Sequence, residues 1–147
     1  MNYLEIEKLV KENKLDKIID ELQPIFDKID IRSQKLMAGQ YSEGHEASQL
    51  LMKCTGWHGY LSSIYSVLDT IKTDRETRLF NSIKMAEEKK GKKIVAAVID
   101  KQVSMEVMTL RRIRNIVGSY RDICDKNIFS CQSLLKSLND SFKRTRD

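Results

Sequence analysis

Apolar residues recur at steps of three and four along most of the chain, a spacing that predicts amphipathic helices. The first stripe runs Leu15, Ile18, Leu22, Ile25 and Ile29. Pro24 lies inside this stripe, so the helix is expected to kink or to start again there. The stretch GQYSEG over residues 39–44 predicts a loop. We therefore predict an N-terminal helical segment over residues 1–40.

A second stripe alternates by four and three residues, which is typical of a seam between packed helices. Its members are Leu50, Cys54, Trp57, Leu61, Ile64, Leu68 and Ile71. The stretch MAEEKKGKK over residues 85–93 predicts the end of this helix, and Gly91 can supply the left-handed residue that follows it. These features predict a long helix over residues 45–88.

A third stripe predicts another long helix over residues 92–142. Its later members are Leu110, Ile113, Val117, Tyr120, Cys124, Ile128, Cys131, Leu135, Leu138 and Phe142. Residues 94–99 are apolar and β-branched enough for a short strand, but no second strand is predicted to pair with them, so a helix is preferred.

The two long helices are joined by a short basic turn and would form an antiparallel hairpin, with the N-terminal segment folded along it. Their seams carry more apolar width than one partner helix covers. We expect self-association to bury the remainder, which predicts a homo-oligomer.

Composition agrees with one all-α domain over residues 1–147. One Pro and six Gly are too few turn formers for a sandwich or barrel. No apolar run reaches the roughly 20 residues of a membrane span, and the N-terminus lacks the apolar stretch of a signal peptide. Three widely spaced Cys do not resemble a disulfide framework. We expect a cytoplasmic protein, without a membrane partner, whose cysteines are reduced and mostly buried.

The positive charge belongs to the second half of the chain. Residues 1–83 carry 11 Lys and Arg against 13 Asp and Glu, a net charge of −2, whereas residues 84–147 carry 15 against 8, a net charge of +7. Such an asymmetry suggests an acidic partner, and nucleic acid is the commonest one. A solvated surface that only keeps the protein soluble is the alternative.

Helical spacing places Arg111, Arg114 and Arg121 on one side of the third helix, with Gly118 among them leaving the backbone accessible. Guanidinium groups in this arrangement suit a phosphate backbone. No aromatic residue is interleaved with them, so binding is expected to be largely independent of base sequence. A solvated face, partly neutralised by a pair between Arg121 and Asp125, is the alternative. The predicted nucleic-acid-binding residues are Arg78, Lys89, Lys90, Lys92, Lys93, Lys101, Arg111, Arg112, Arg114 and Arg121.

The stretch CTGWHGY over residues 54–60 is the candidate for site chemistry. Cys54 and His58 are four residues apart and could form half of a zinc site, with Cys124 and Cys131 as the other half. All three Cys lie on the apolar seams, where Cys packs as a small hydrophobic residue, so core packing is preferred to a metal site.

No nucleophile, base and oxyanion donor can be identified together, so we predict neither enzymatic activity nor a cofactor. We interpret Gly56 and Gly59 as removing bulk around Trp57, so that a neighbouring helix or subunit can approach.

Residues 50–140 resemble phage recombination mediators of the UvsY type. The resemblance rests on a long helix, a basic turn, the pair Asp100-Lys101, and a second long helix with a Cys on its seam. The stretch Glu76-Thr77-Arg78-Leu79-Phe80 is similar to the Lys-x-Arg-Leu stretch of that family. Glu76 departs from its first basic position, so only Arg78 is carried over. The resemblance implies an oligomeric ring that binds single-stranded DNA and helps to load a recombinase onto DNA covered by single-strand binding protein.

Together these features predict an oligomeric, non-specific single-stranded DNA-binding accessory protein of phage recombination or replication, active in the host cytoplasm. The alternative is a structural or adaptor protein, such as a virion component, whose basic face docks an acidic protein. A metal- or Cys-dependent enzyme would require bound zinc or a reactive thiol.

Overall fold

Five helices make up the part of the chain that the computed structural model describes, residues 1–91 and 95–144 with side chains to residue 141. They are α1 (Tyr3–Lys11), α2 (Asp16–Met37), α3 (Gly44–Lys89), α4 (Ala96–Glu106) and α5 (Met108–Arg144). No strand occurs in these residues, which confirms the all-α prediction and the helix over residues 96–99. None of the described helices is long and apolar enough to cross a membrane.

The N-terminal segment forms two helices because a tight turn separates them. α1 begins at a capping box, in which the Asn2 side chain accepts a hydrogen bond from the Glu5 amide and the Glu5 carboxylate accepts one from the Asn2 amide. Asn13 takes a left-handed backbone conformation with φ 55° between α1 and α2. This Asn conformation provides the turn that the apolar pattern does not reveal.

α2 runs through Pro24 without a break, so of the two expected outcomes, a kink or a new start, the new start does not occur. Pro24 is exposed, and the missing hydrogen bond therefore falls on the solvent side of the helix. Leu22 and Phe26 are buried on either side of it. Burial of this continuous apolar face outweighs the local cost of Pro24.

α3 and α5 contact each other at pairs of residues whose order along the two helices is opposite. Tyr65 lies against Gly118, and the ion pair of Asp69 with Arg114 follows one turn later along α3. These contacts are those of two antiparallel helices. A main apolar core lies where α1, α2, α3 and α5 meet: Ile6, Val10, Leu15, Ile18, Leu22, Phe26, Ile29, Leu61, Ile64, Leu68, Leu110, Ile113, Val117 and Cys124.

The helix predicted over residues 92–142 is divided at Val107, where α4 ends and α5 begins. Val103, Val107 and Leu110 are all buried across the break. The change of direction thus keeps the apolar faces of both helices inside the fold. α3 ends as predicted, with Gly91 in the left-handed conformation at φ 67°.

Candidate nucleic-acid interface

Arg111 and Arg114 on α5 are directed toward α3, where each finds a carboxylate. The Arg114 Nη1 donates to Asp69 Oδ1 at 2.7 Å, and the Arg111 Nη2 donates to Glu76 Oε1 at 2.8 Å. Arg111 Nη1 also donates to the Ser104 hydroxyl at 3.0 Å. These two guanidinium groups are therefore neutralised within the fold. To bind a phosphate, each would have to give up its carboxylate partner.

Glu76 is held ionised by the cations around it. Desolvation opposes ionisation, but hydrogen bonds from Arg111 and Lys72 outweigh it and lower the pKa of Glu76 below its usual value. Lys72 Nζ lies 3.2 Å from Glu76 Oε2 on the preceding turn of α3. In the mediators that the chain resembles, this position carries a basic residue. Here it carries Glu76, whose carboxylate joins α3 to α5.

Arg121 lies over the face of Tyr65, with its guanidinium carbon 4.5 Å from the ring centroid. Its ion pair is with Asp122 at 2.7 Å and replaces the predicted pair with Asp125. Gly118 is buried under the same ring, so the prediction that it leaves the backbone accessible is wrong. The spacing of α5 alone could not reveal this, because Tyr65 belongs to α3.

Five of the remaining predicted cations are exposed: Arg78, Lys89, Lys90, Lys101 and Arg112. Lys90 pairs with Glu87 at 3.2 Å, and Lys92 and Lys93 lie outside the described residues. The other four have no ion pair within residues 1–91 and 95–144: Arg78, Lys89, Lys101 and Arg112.

Arg78 and the helix that carries Lys101, α4, lie on different sides of α3. Arg78 lines a groove between α1 and α3, together with Ile71 and Leu79. α4 instead packs beside Thr77 and Phe80 of α3, where another groove forms. The predicted residues are thus not assembled into one compact face.

The groove between α1 and α3 contains two residues that the sequence did not single out, Tyr3 and Arg75. It has a volume of about 470 Å³ and brings them beside Arg78. The spacing of Arg75 and Arg78 on a predicted helix could have identified these two as neighbouring cations. Tyr3 could not have been found from the sequence, because its place opposite them depends on how α1 packs on α3.

Cys54 and Cys131 are buried together with Leu50 in a second apolar cluster. Burial, and then the nearby Cys131 thiol, raises the pKa of Cys54 to about 11. Burial raises the pKa of Cys124 to about 12 and also raises that of Cys131. These thiols are protonated at neutral pH, which makes them poor nucleophiles and poor metal ligands.

No group of three or more His, Cys, Asp or Glu that could hold a metal ion occurs among the described residues. The cysteines that sequence spacing offered as a zinc site instead pack in apolar surroundings. Asn127 enters the same region, and its side chain donates to the Ser33 hydroxyl at 2.7 Å.

Trp57 is half-buried and packs against both apolar clusters. The Arg32 guanidinium carbon lies 5.7 Å from its ring centroid. A Cβ atom added at Gly56 or Gly59 would meet no atom of the described structure within 4 Å. Among the residues that the structure describes, no neighbouring helix approaches there. Approach by a second subunit stays a prediction.

Comparison of the chain with family models, with curated proteins and with solved structures finds no match.

Proposed function

We propose that this protein binds single-stranded DNA without sequence specificity and acts as an accessory protein of phage DNA recombination or replication. In this proposal it works as a homo-oligomeric mediator beside a recombinase and a single-strand binding protein. Arg78, Lys89, Lys101 and Arg112 carry the proposal, because they are exposed and no ion pair within the described residues neutralises them. An exposed cation without an ion pair can bind a phosphate without first breaking an interaction within the protein, so it contributes more to affinity than a paired cation.

The distribution of these cations favours a flexible strand over a discrete ligand. They belong to three helices, α3, α4 and α5. α4 packs on a different side of α3 from the groove that Arg78 lines. A single strand can follow such a path, because each phosphate contact is independent of base identity.

A fourfold substitution tests the proposal: Arg78, Lys89, Lys101 and Arg112, each changed to Gln. The readout is fluorescence anisotropy of a labelled oligothymidylate across a salt series. Each phosphate contact that is lost should reduce the slope of log affinity against log salt by about 0.7 for a single strand. We expect weaker binding and a slope shallower by up to about 2.8.

The matched control changes four exposed lysines elsewhere: Lys28, Lys35, Lys53 and Lys126, each to Gln. Both variants lose the same net charge, and the control should retain the affinity and the salt slope of the unchanged protein. Equal weakening of the two variants would assign binding to net charge alone. Absence of binding by the unchanged protein at low salt would overturn the proposal.

One surface favours the alternative, an adaptor that docks an acidic protein. Exposed apolar side chains lie close to cations around the junction of α4 and α5, where Val98, Met105 and Met108 are more than half exposed. Lys101 and Arg112 are exposed in the same region. A segment with apolar side chains and carboxylates would fit such a surface. This alternative predicts no affinity for single-stranded DNA.

A further inference from the structure

The groove between α1 and α3 combines an aromatic ring with two arginines. Tyr3 lies in the first turn of α1 and is 46% exposed. Arg75 and Arg78 lie three residues apart on α3, so about 4.5 Å of helix rise separates them. All three residues line one groove of about 470 Å³, within the range of roughly 300–1,000 Å³ that is usual for ligand sites.

The charges around the groove leave both arginines available. Lys11 Nζ pairs with Glu7 Oε1 at 3.1 Å, so these two lining residues neutralise each other. Arg75 and Arg78 have no ion pair within residues 1–91 and 95–144. Asp74 is the remaining acid of the lining, which leaves the groove with an excess of positive charge.

The first turn of α1, which carries Tyr3, is held in place by a helix cap and by the packing of α1. The capping box of Asn2 and Glu5 fixes the first turn of the helix. Ile6 and Val10 on the same helix are buried in the main core. A ring presented by an ordered helix loses little conformational entropy when a base stacks on it.

We propose that this groove seats one nucleotide unit of a single strand, with the base on the ring of Tyr3 and the adjoining phosphates on Arg75 and Arg78. This inference rests on the proposed function and names the place where a single strand is distinguished from a duplex. The bases of a duplex are already paired and stacked, whereas those of a single strand are free to stack on protein side chains. Stacking on an aromatic ring tolerates any base, in keeping with non-specific binding.

The test compares two labelled oligonucleotides of equal length, oligothymidylate and an abasic strand that carries the same phosphates without bases. We expect the unchanged protein to bind oligothymidylate about tenfold more tightly, the scale of one stacked base. Tyr3→Ala should remove this difference, and Tyr3→Phe should keep it. Arg75→Gln and Arg78→Gln should weaken binding of both strands alike, because both strands carry phosphates.

Phe129→Ala is the matched control, since Phe129 on α5 is exposed and lies outside the groove. It should leave the tenfold difference unchanged. Far-UV circular dichroism establishes that Tyr3→Ala keeps its helical content.

The inference is overturned, while the proposed function stands, if the unchanged protein binds both strands equally. The same holds if Tyr3→Ala keeps the tenfold difference, or if a duplex of equal length binds as tightly as oligothymidylate. Absence of binding to either strand at low salt would overturn both the groove and the proposed function.

Discussion

Tyr65 is a single side chain on which several contacts between α3 and α5 depend. Its ring covers Gly118, and the guanidinium carbons of Arg121 and Arg114 lie 4.5 Å and 5.8 Å from the ring centroid. Each such cation–π contact contributes on the order of 0.5–1 kcal/mol when it is exposed. Gly118 permits the arrangement because it adds no side chain below the ring.

Gly118→Ala should therefore be costly compared with the same change at an open glycine. A Cβ atom at Gly118 would lie 3.0 Å from Cε2 and 3.3 Å from Cδ2 of Tyr65, whereas at Gly59 it would meet nothing within 4 Å. Both changes gain the same helix propensity, so their difference isolates the crowding. We expect the free energy of unfolding in urea to be lower for Gly118→Ala than for Gly59→Ala by about 1–3 kcal/mol. Equal free energies for the two variants would mean that Tyr65 does not press on Gly118.

At the scale of the element, Arg111 joins three helices. It belongs to α5, its guanidinium donates to Glu76 on α3, and it also donates to Ser104 on α4. The interruption of the helix at Val107 lies between Ser104 and Arg111 in the sequence. Arg111 thus links α4 to α5 across the junction where the helical hydrogen bonds are interrupted.

Arg111→Ala should loosen α4 more than the centre of α5. Arg111 is partly exposed, so its ion pair contributes less than about 1 kcal/mol, and hydrogen exchange of the α4 amides should become about two- to fivefold faster. Arg112→Ala is the control, because it removes the same charge from an exposed neighbour. Faster exchange in both variants, or in neither, would contradict a link through Arg111.

The apolar pattern of the sequence predicts the helices and their buried positions better than it predicts which side chains of different helices contact each other. The buried positions of Cys54 and Cys131 follow from apolar spacing, and so does the left-handed residue Gly91. The partners of Arg111 and Arg114 do not follow, since they depend on the register between α3 and α5. Periodicity identifies the apolar face of each helix, but it leaves open how far one helix is shifted along the other.

At the scale of the whole molecule, α3 is the helix that contacts each of the other four. The main core extends from α1 and α2 across α3 to α5. Tyr120 on α5 links this core to α2 at its polar edge. Its ring stacks on Phe26 with 4.0 Å between centroids, and its hydroxyl donates to Asp30 at 2.8 Å. Ionisation of a group in this core therefore affects packing between α2, α3 and α5 together.

The titratable groups buried in this core and in the second apolar cluster predict a loss of stability at alkaline pH. Burial, and then the hydrogen bond with Asp30, raises the pKa of Tyr120 to about 12. Burial raises the pKa of Cys54 to about 11 and that of Cys124 to about 12. Because these folded-state values exceed the unfolded values of about 8.5 for Cys and about 10 for Tyr, the folded protein holds these protons more tightly.

The stabilising contribution is fully present below the unfolded pKa values and is lost as pH rises from about 9 through the folded values near 11 and 12. Urea unfolding between about pH 8 and pH 11 should show a falling midpoint with an unchanged dependence on urea. Cys54→Ala removes one contributing thiol and should make the decline shallower, although its cavity lowers stability at every pH. A midpoint that stays constant to pH 11, or an equally steep decline in the variant, would contradict the assignment to buried groups.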